Sequence, residues 1–149
     1  MKARLIPIYF EPGKDSGFDV QLDALTRLLA DRAELLPPVA LGRALPDADA
    51  VVFPQLLGEA YRRVEHLKAL RLPILIATSQ FGTLSMWDWE IIGYLRSEGV
   101  ETLAPYTLEQ AKKICNALKV KRKLQNAKFL MYQDNPDENA QANIFKRFY

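Results

Sequence analysis

The feature that most restricts the fold of this chain is a short, uniformly apolar run, residues 73–77, flanked by amphipathic segments. A run of this length fits a β-strand and falls far short of the ~20 residues that span a bilayer. Because apolar residues are continuous here instead of alternating, the run predicts a strand buried on both faces. Such strands lie in parallel sheets that helices cover on both sides, so the run predicts an α/β protein.

Further apolar runs of strand length recur along the chain. Strands are predicted at residues 4–10, 50–53, 73–77, 100–103 and 128–132, and a short or edge strand is predicted within residues 35–41. Pro7 weakens the prediction of a central strand at residues 4–10, because proline has no backbone N–H to donate. Pro37 and Pro38 interrupt the run at residues 35–41, which favours an edge position for it.

Segments with apolar residues at helical spacing separate these strands. One helix is marked by Leu22, Leu25, Leu28 and Leu29, and a helix at residues 58–70 is predicted to face inward with Ala60, Val64 and Leu67. The next helix is marked by Leu84, Trp87, Ile91 and Leu95 and ends at Gly99. Thr107 and Gln110 have the spacing of a capping box that begins another helix. Asn135 and Pro136 are typical of the start of a last one.

This order of elements predicts a three-layer Rossmann-like, or flavodoxin-like, fold, in which helices cover both faces of a parallel sheet. The length of 149 residues fits one domain. We expect that domain to span residues 1–134, and residues 135–149 to begin a further helix that leads into a missing downstream domain. The apolar and aromatic end of the chain, residues 144–149, is equally consistent with docking on the domain and with truncation of a longer protein.

Charge and cysteine content restrict the partners and the compartment. The net charge of +2 is too small to indicate a nucleic-acid or membrane partner. A single cysteine cannot form an internal disulfide, and charged residues interrupt the N-terminus before a signal-peptide core could form, so we expect a cytoplasmic protein. A basic cluster either complements a helix dipole or binds an anion, RNA or another subunit; it comprises Lys112, Lys113, Lys119, Lys121, Arg122 and Lys123.

Residues suited to self-contained catalysis are scarce. His66 is the single histidine, expected on a solvated helix face, and Cys115, the single cysteine, lies on the apolar stripe of its helix. Together they cannot form a zinc site or a convincing nucleophile–base pair. Gly13 and Gly17 follow the first strand at a spacing that matches neither glycine-rich phosphate-binding motif. We therefore expect no catalytic residue, metal site or cofactor in this chain.

The best functional candidates follow the strands, because ligands of open α/β sheets bind outside the carboxyl ends of the strands. The predicted substrate-binding residues are Glu11, Gln55, Gln80, Phe81, Trp87, Asp88 and Trp89. In the segment 78–89, amide and hydroxyl groups could orient a polyol, and aromatic faces could cover the apolar face of a sugar ring. The competing interpretation is that Phe81, Trp87 and Trp89 pack in the core or in an interface.

Residues 50–134 resemble the N-terminal domain of the L-fucose isomerase and L-arabinose isomerase family. The pairs Gln80–Phe81 and Trp87–Asp88 are similar to the Thr-Gln-Phe and Trp-Asp motifs of arabinose isomerases, and the order of elements agrees. The loops after the strands at residues 4–10 and 50–53 depart from the arabinose isomerase pattern, so contacts to a specific sugar do not carry over.

The resemblance implies a parent enzyme that interconverts aldoses and ketoses with a divalent metal such as Mn²⁺, held by residues of later domains. It also implies a homo-oligomer in which the N-terminal domain covers the substrate site of a neighbouring subunit. The chain would then be the first domain of such an enzyme, sharing a sugar substrate with other domains or subunits. The alternative is that the parent is an uncharacterised relative of the family with another substrate.

A second hypothesis is a stand-alone flavodoxin-like domain for ligand binding or signalling, without catalysis. Signalling receiver domains need a cluster of acidic residues after the first strand, and only Glu11 and Asp15 approach it. Binding of flavin or nucleotide, in place of a response to sugar or metal, would favour this second hypothesis.

Overall fold

The computed structural model describes residues 1–11, 14, 16–56 and 58–128 of the chain. The strands in this part are β1 (Ala3–Tyr9), β2 (Ala33–Leu35), β3 (Val39–Ala40), β4 (Ala50–Phe53), β5 (Ile74–Ile76) and β6 (Thr102–Leu103). The α-helices are α1 (Ser16–Leu29), α2 (Glu59–Arg62), α3 (Val64–Lys68), α4 (Trp89–Ser97) and α5 (Leu108–Gln125), and a 3₁₀ turn, Met86–Asp88, precedes α4. The predicted strand at residues 128–132 runs beyond the described residues, and the predicted helix at Asn135 and segment 135–149 lie outside them.

The strands form one parallel sheet in the order β2-β1-β4-β5-β6, and β3 pairs with β1 beyond the end of β2. If β2 and β3 count as one interrupted strand, the order becomes 2-1-3-4-5, which is that of flavodoxin-like folds. The predicted α/β fold with a parallel sheet is therefore confirmed, and β2 and β3 occupy the predicted edge position.

Pro7 lies within β1, a central strand, without breaking the sheet. On either side of it, the carbonyls of Leu5 and Tyr9 accept hydrogen bonds from the edge formed by β2 and β3. Since alternate residues of a strand bond to the same neighbour, the donor that Pro7 lacks faces the break between β2 and β3. Pro37 and Pro38 occupy that break, so the N–H that Pro7 lacks would point at a place where the edge strand is interrupted.

Two apolar layers pack on the two faces of the sheet. One layer contains residues of α2, α3 and α4 packed on side chains such as Ile6, Val51 and Ile76. The other contains residues of α1 and α5 packed on the alternate side chains, such as Leu5, Val52 and Leu75. Because β1, β4 and β5 are covered on both faces, they read as continuous apolar runs, as predicted for β5.

Two details of the predicted helices are wrong. The helix predicted at residues 58–70 is divided into α2 and α3 at Arg63, whose φ of −112° and ψ of 20° interrupt the helical backbone. The helix predicted to include Leu84 and Trp87 begins only at Trp89, so both residues lie before it, Leu84 buried and Trp87 87% exposed. Trp87 lies in the 3₁₀ turn before α4 begins, and the tighter turn changes the angular position of its side chain.

The predicted start of α5 is confirmed. The Thr107 hydroxyl accepts a hydrogen bond from the Gln110 N–H at 3.1 Å, and the Gln110 side chain accepts one from the Thr107 N–H at 3.3 Å. This capping box satisfies backbone donors that the first turn would leave free. Among the described residues, no helix has both the length and the apolar character needed to cross a membrane.

Candidate functional site

The carboxyl ends of the strands bring the predicted site residues to one edge of the sheet. Glu11 follows β1 and Gln55 follows β4, two adjacent strands whose onward connections run in opposite directions. This is the topological switch point, where open α/β sheets bind their ligands. The predicted residues at positions 80–89 follow β5, the next strand along the same edge.

The switch point carries charged side chains close to the sheet. The Glu11 carboxylate lies 3.8 Å from the guanidinium of Arg43, and both side chains are more than half exposed. Glu11 also lines a small cavity of about 70 Å³ with Phe10, Leu41 and Arg63. Gln55 is half-buried beside it along the edge. Exposed ion pairs of this kind contribute little to stability, so the charges of Glu11 and Arg43 remain available to a ligand.

The hydroxyl groups after β5 bond within their own loop. The Ser79 and Thr83 hydroxyls lie 2.7 Å apart, and the Ser79 oxygen also accepts from the N–H groups of Phe81 and Thr83 at 3.2 Å. The Thr78 hydroxyl accepts from the Ser85 N–H at 3.0 Å. These bonds fix the backbone of the loop, so the hydroxyls shape the site whereas the Gln80 and Phe81 side chains project from it.

Gln21 of α1 anchors the same loop, and sequence reasoning missed it. Its side-chain amide donates to the Ala77 carbonyl at 3.2 Å and to the Ser79 carbonyl. A glutamine on an amphipathic helix gives no sequence signal for a contact nearly 60 residues away. Its role is to hold the end of β5 against α1.

Exposed aromatic side chains follow β5 and β6 at this edge. Phe81 is 65% exposed, Trp87 is 87% exposed, Trp89 is 59% exposed and Tyr106 is 55% exposed. We refer to these four residues as the aromatic surface. Such exposures exclude packing of Phe81, Trp87 and Trp89 in the core of this domain, which is one part of the competing interpretation of the sequence. Exposure in a single chain does not test the other part, packing in an interface.

Tyr106 is the member of the aromatic surface that sequence reasoning did not select. Its ring lies 5.9 Å from that of Trp89 at an interplanar angle of 43°. Its N–H donates to the Gln110 side chain at 2.8 Å, and the neighbouring Pro105 carbonyl accepts from the Leu84 N–H at 2.8 Å. The signal for Tyr106 was its position after β6 and directly before the capping residue Thr107.

Gln80 and Asp88 complete the polar part of the predicted site. Gln80 is exposed in the loop beside Phe81, and Asp88 is half-buried at the end of the 3₁₀ turn. The Ser85 hydroxyl accepts from the Trp87 N–H at 3.4 Å and begins that turn. The predicted residues after β5 therefore share one loop and turn that present aromatic rings, an amide and a carboxylate.

Other reactive or charged groups lie elsewhere. Burial raises the pKa of the Cys115 thiol to about 11, which is typical of an inert buried cysteine. Within the described residues, no group of three or more His, Cys, Asp or Glu side chains could hold a metal ion. Three members of the basic cluster form ion pairs: Lys112 with Asp31, Lys113 with Glu109, and Arg122 with Asp47 and Asp49.

Comparisons with protein-family models, with curated proteins and with solved structures find no match to this chain.

Proposed function

We propose that this chain is the N-terminal domain of a sugar-isomerase-like enzyme and that its aromatic surface covers the substrate site and contacts a neighbouring subunit. The parent enzyme would interconvert an aldose and a ketose with a divalent metal, Mn²⁺, held by residues of other domains. The domain itself supplies no catalytic residue and no metal ligand in this proposal. The parent enzyme would be a cytoplasmic homo-oligomer.

The observation that carries the proposal is the exposure of four aromatic rings at one edge of the sheet. Large apolar groups that cluster on a surface mark a site of contact with a ligand or another protein. Tryptophan and tyrosine are enriched in such contacts because they combine a large apolar face with a polar group. Gln80 and Asp88 lie beside the rings and could hydrogen-bond the hydroxyls of a sugar.

The resemblance of the segments 80–81 and 87–88 to arabinose isomerases supports the assignment of the partner. These two pairs supply Phe81 and Trp87, which are the two most exposed rings of the aromatic surface. The loop hydrogen bonds around Ser79 hold this segment in place before any partner binds. A preorganised surface loses less conformational entropy on binding, as a covering loop requires.

The test is an activity measurement on the full-length protein that contains this chain. The formation of ketose from aldopentoses and 6-deoxyaldohexoses is measured with and without Mn²⁺ for the wild type, Trp87→Ala and Val20→Ala. Val20 is a matched control, an apolar residue of α1 that is 69% exposed. We expect Mn²⁺-dependent activity that falls by about tenfold or more in Trp87→Ala and stays unchanged in Val20→Ala. Absence of ketose from every aldose, or equal losses in both variants, would refute the proposal.

One observation favours a second candidate, a stand-alone flavodoxin-like binding domain. The strand order equivalent to 2-1-3-4-5 puts Glu11 and Gln55 at the switch point, where flavodoxin-like folds bind mononucleotides. Titration of the protein with flavin mononucleotide separates the two candidates. Tight binding of that nucleotide, with no response to sugar or metal, would favour the second.

A further inference from the structure

A groove opens on the face of the domain that α2, α3 and α4 cover, away from the aromatic surface. It lies between the loop that joins β3 to β4 and the segment that follows α3. Its volume of about 510 Å³ is within the range of about 300–1,000 Å³ that is typical of small-molecule sites. The groove therefore has room for a ligand of moderate size.

The groove exists because the connection between β3 and β4 contains no helix. The other crossovers described here, from β1 to β2, β4 to β5 and β5 to β6, each carry at least one helix. Residues 41–49 instead form a loop over the sheet, and Leu45 and Ala48 from this loop pack only partly on the core. Leu70 and Leu72 face them from the other side, so the groove has an apolar floor.

Two arginine side chains lie beside this apolar floor. Arg43, His66 and Arg71 line the groove. The side chains of His66 and Arg71 make no ion pair or hydrogen bond with another residue of the described part of the chain. Arg43 has only the exposed 3.8 Å contact with Glu11, which a stronger anion could displace.

The acidic residue in the lining, Asp47, is already neutralised. Its carboxylate accepts from Arg4 at 3.0 Å and also pairs with Arg122. Because two guanidinium groups hold Asp47, its charge does not cancel those of Arg43 and Arg71. The groove is therefore complementary to a negative group.

Gly42 allows the His66 ring to form one wall of the groove. A Cβ atom at position 42 would lie 3.2 Å from His66 Cδ2, which is closer than ordinary contacts. The φ of Gly42 is +92°, a conformation that residues with side chains rarely adopt. The imidazole is thereby held against the backbone at the mouth of the β3–β4 loop.

We propose that this groove binds a small organic anion that has an apolar body. The body lies on Leu45, Ala48, Leu70 and Leu72, and the anionic group pairs with Arg43 and Arg71. This site is separate from the aromatic surface, and it does not depend on the proposed isomerase function.

His66 provides a direct measurement of binding, because it is the single histidine of the chain. Its imidazole proton signals are followed by NMR while the protein is titrated with naphthalene-2-sulfonate. Two matched probes are the uncharged naphthalene-2-sulfonamide, which lacks the anionic group, and inorganic sulfate, which lacks the apolar body. We expect the sulfonate to cause a saturable shift of the His66 signals. Each of the other two probes is expected to bind at least about five- to tenfold more weakly than the sulfonate.

Variants test which residues form the site. Arg71→Gln and Arg43→Gln are each expected to weaken sulfonate binding about five- to tenfold, because each removes a charged donor. Arg27→Gln is the control, since Arg27 is exposed on α1 at the opposite face of the sheet. Near-ultraviolet circular dichroism checks that each variant is folded.

Three results would overturn the proposal. The first is that the His66 signals stay unshifted at every sulfonate concentration up to its solubility limit. The second is that the sulfonamide or inorganic sulfate binds as tightly as the sulfonate. The third is that the Arg71→Gln and Arg43→Gln variants, once shown to be folded, bind the sulfonate as tightly as Arg27→Gln does.

Discussion

Replacing Asp49 by alanine is expected to lower the free energy of unfolding by about 2–4 kcal/mol. The Asp49 side chain is 4% exposed, and it accepts hydrogen bonds from the Arg4 N–H at 2.7 Å and from the Arg122 guanidinium at 3.3 Å. A hydrogen bond to a charged group contributes about 1.5–3 kcal/mol, and leaving a donor without its acceptor adds a cost. The expected loss of unfolding free energy is smaller than the largest losses seen when one partner of a buried ion pair is removed, because Arg122 keeps its contact with Asp47.

The assay is urea unfolding at pH 7, followed by far-ultraviolet circular dichroism, with the dependence on urea concentration fitted for each variant. Asp47→Ala is the matched control: Asp47 binds the same Arg122 but is 73% exposed, and exposed ion pairs contribute about 0–1 kcal/mol. At about 4 °C per kcal/mol, the Asp49→Ala loss corresponds to a fall in Tm of roughly 8–16 °C. Values for the two variants within about 0.5 kcal/mol of each other would refute the reasoning.

Four other predictions concern stability and reactivity. Burial raises the pKa of the Cys115 thiol from 9.0 to about 11. Between about pH 9 and pH 11 the thiol therefore ionises in the unfolded chain but not in the folded one, so the free energy of unfolding should fall as pH rises through that range. Alkylation of Cys115 by iodoacetamide at pH 8 should accordingly be at least about 100-fold slower in the folded chain than in urea. Thr107→Ala should cost about 1 kcal/mol in urea unfolding by removing the cap of α5, whereas Thr26→Ala, at an exposed hydroxyl within α1, should cost much less. Gly82→Ala should cost about 1–2 kcal/mol, because φ is +71° and the new Cβ would lie 3.3 Å from Leu28; a stability equal to the wild type would contradict this.

The elements that the sequence predicted well are those whose signal is local. The strand at Ala50–Phe53 has the predicted bounds because four consecutive apolar residues end at a proline. The capping box at Thr107 was predictable because its two partners lie three residues apart. The α/β fold was predictable because short apolar runs alternate with segments of helical periodicity. The position of the candidate site residues at the carboxyl edge of the sheet was predictable because all strands of a parallel sheet end at the same edge.

What the sequence did not predict depends on contacts between distant residues or on exposure. The ion pairs of Asp49 and Arg122 join residues 73 positions apart, so no local pattern indicates them. Trp87 has the spacing of a buried helical residue, but the 3₁₀ turn directs it to solvent. The groove beside His66 arises from a missing crossover helix, which becomes visible only when β3 and β4 are placed on either side of β1.

The measurement that tests the central claim most directly is oxidative footprinting of Trp87 and Trp89 in the intact protein, resolved by mass spectrometry and normalised to the same protein in urea. These are the two tryptophans of the chain, and both belong to the aromatic surface. If a neighbouring subunit and substrate cover that surface, both side chains will be oxidised several-fold more slowly in the native protein than in urea, and a bound sugar will slow them further. The account would be contradicted if both side chains were oxidised at close to their rates in urea. In that case Trp87 would be oxidised faster than Trp89, because their exposures in this chain are 87% and 59%.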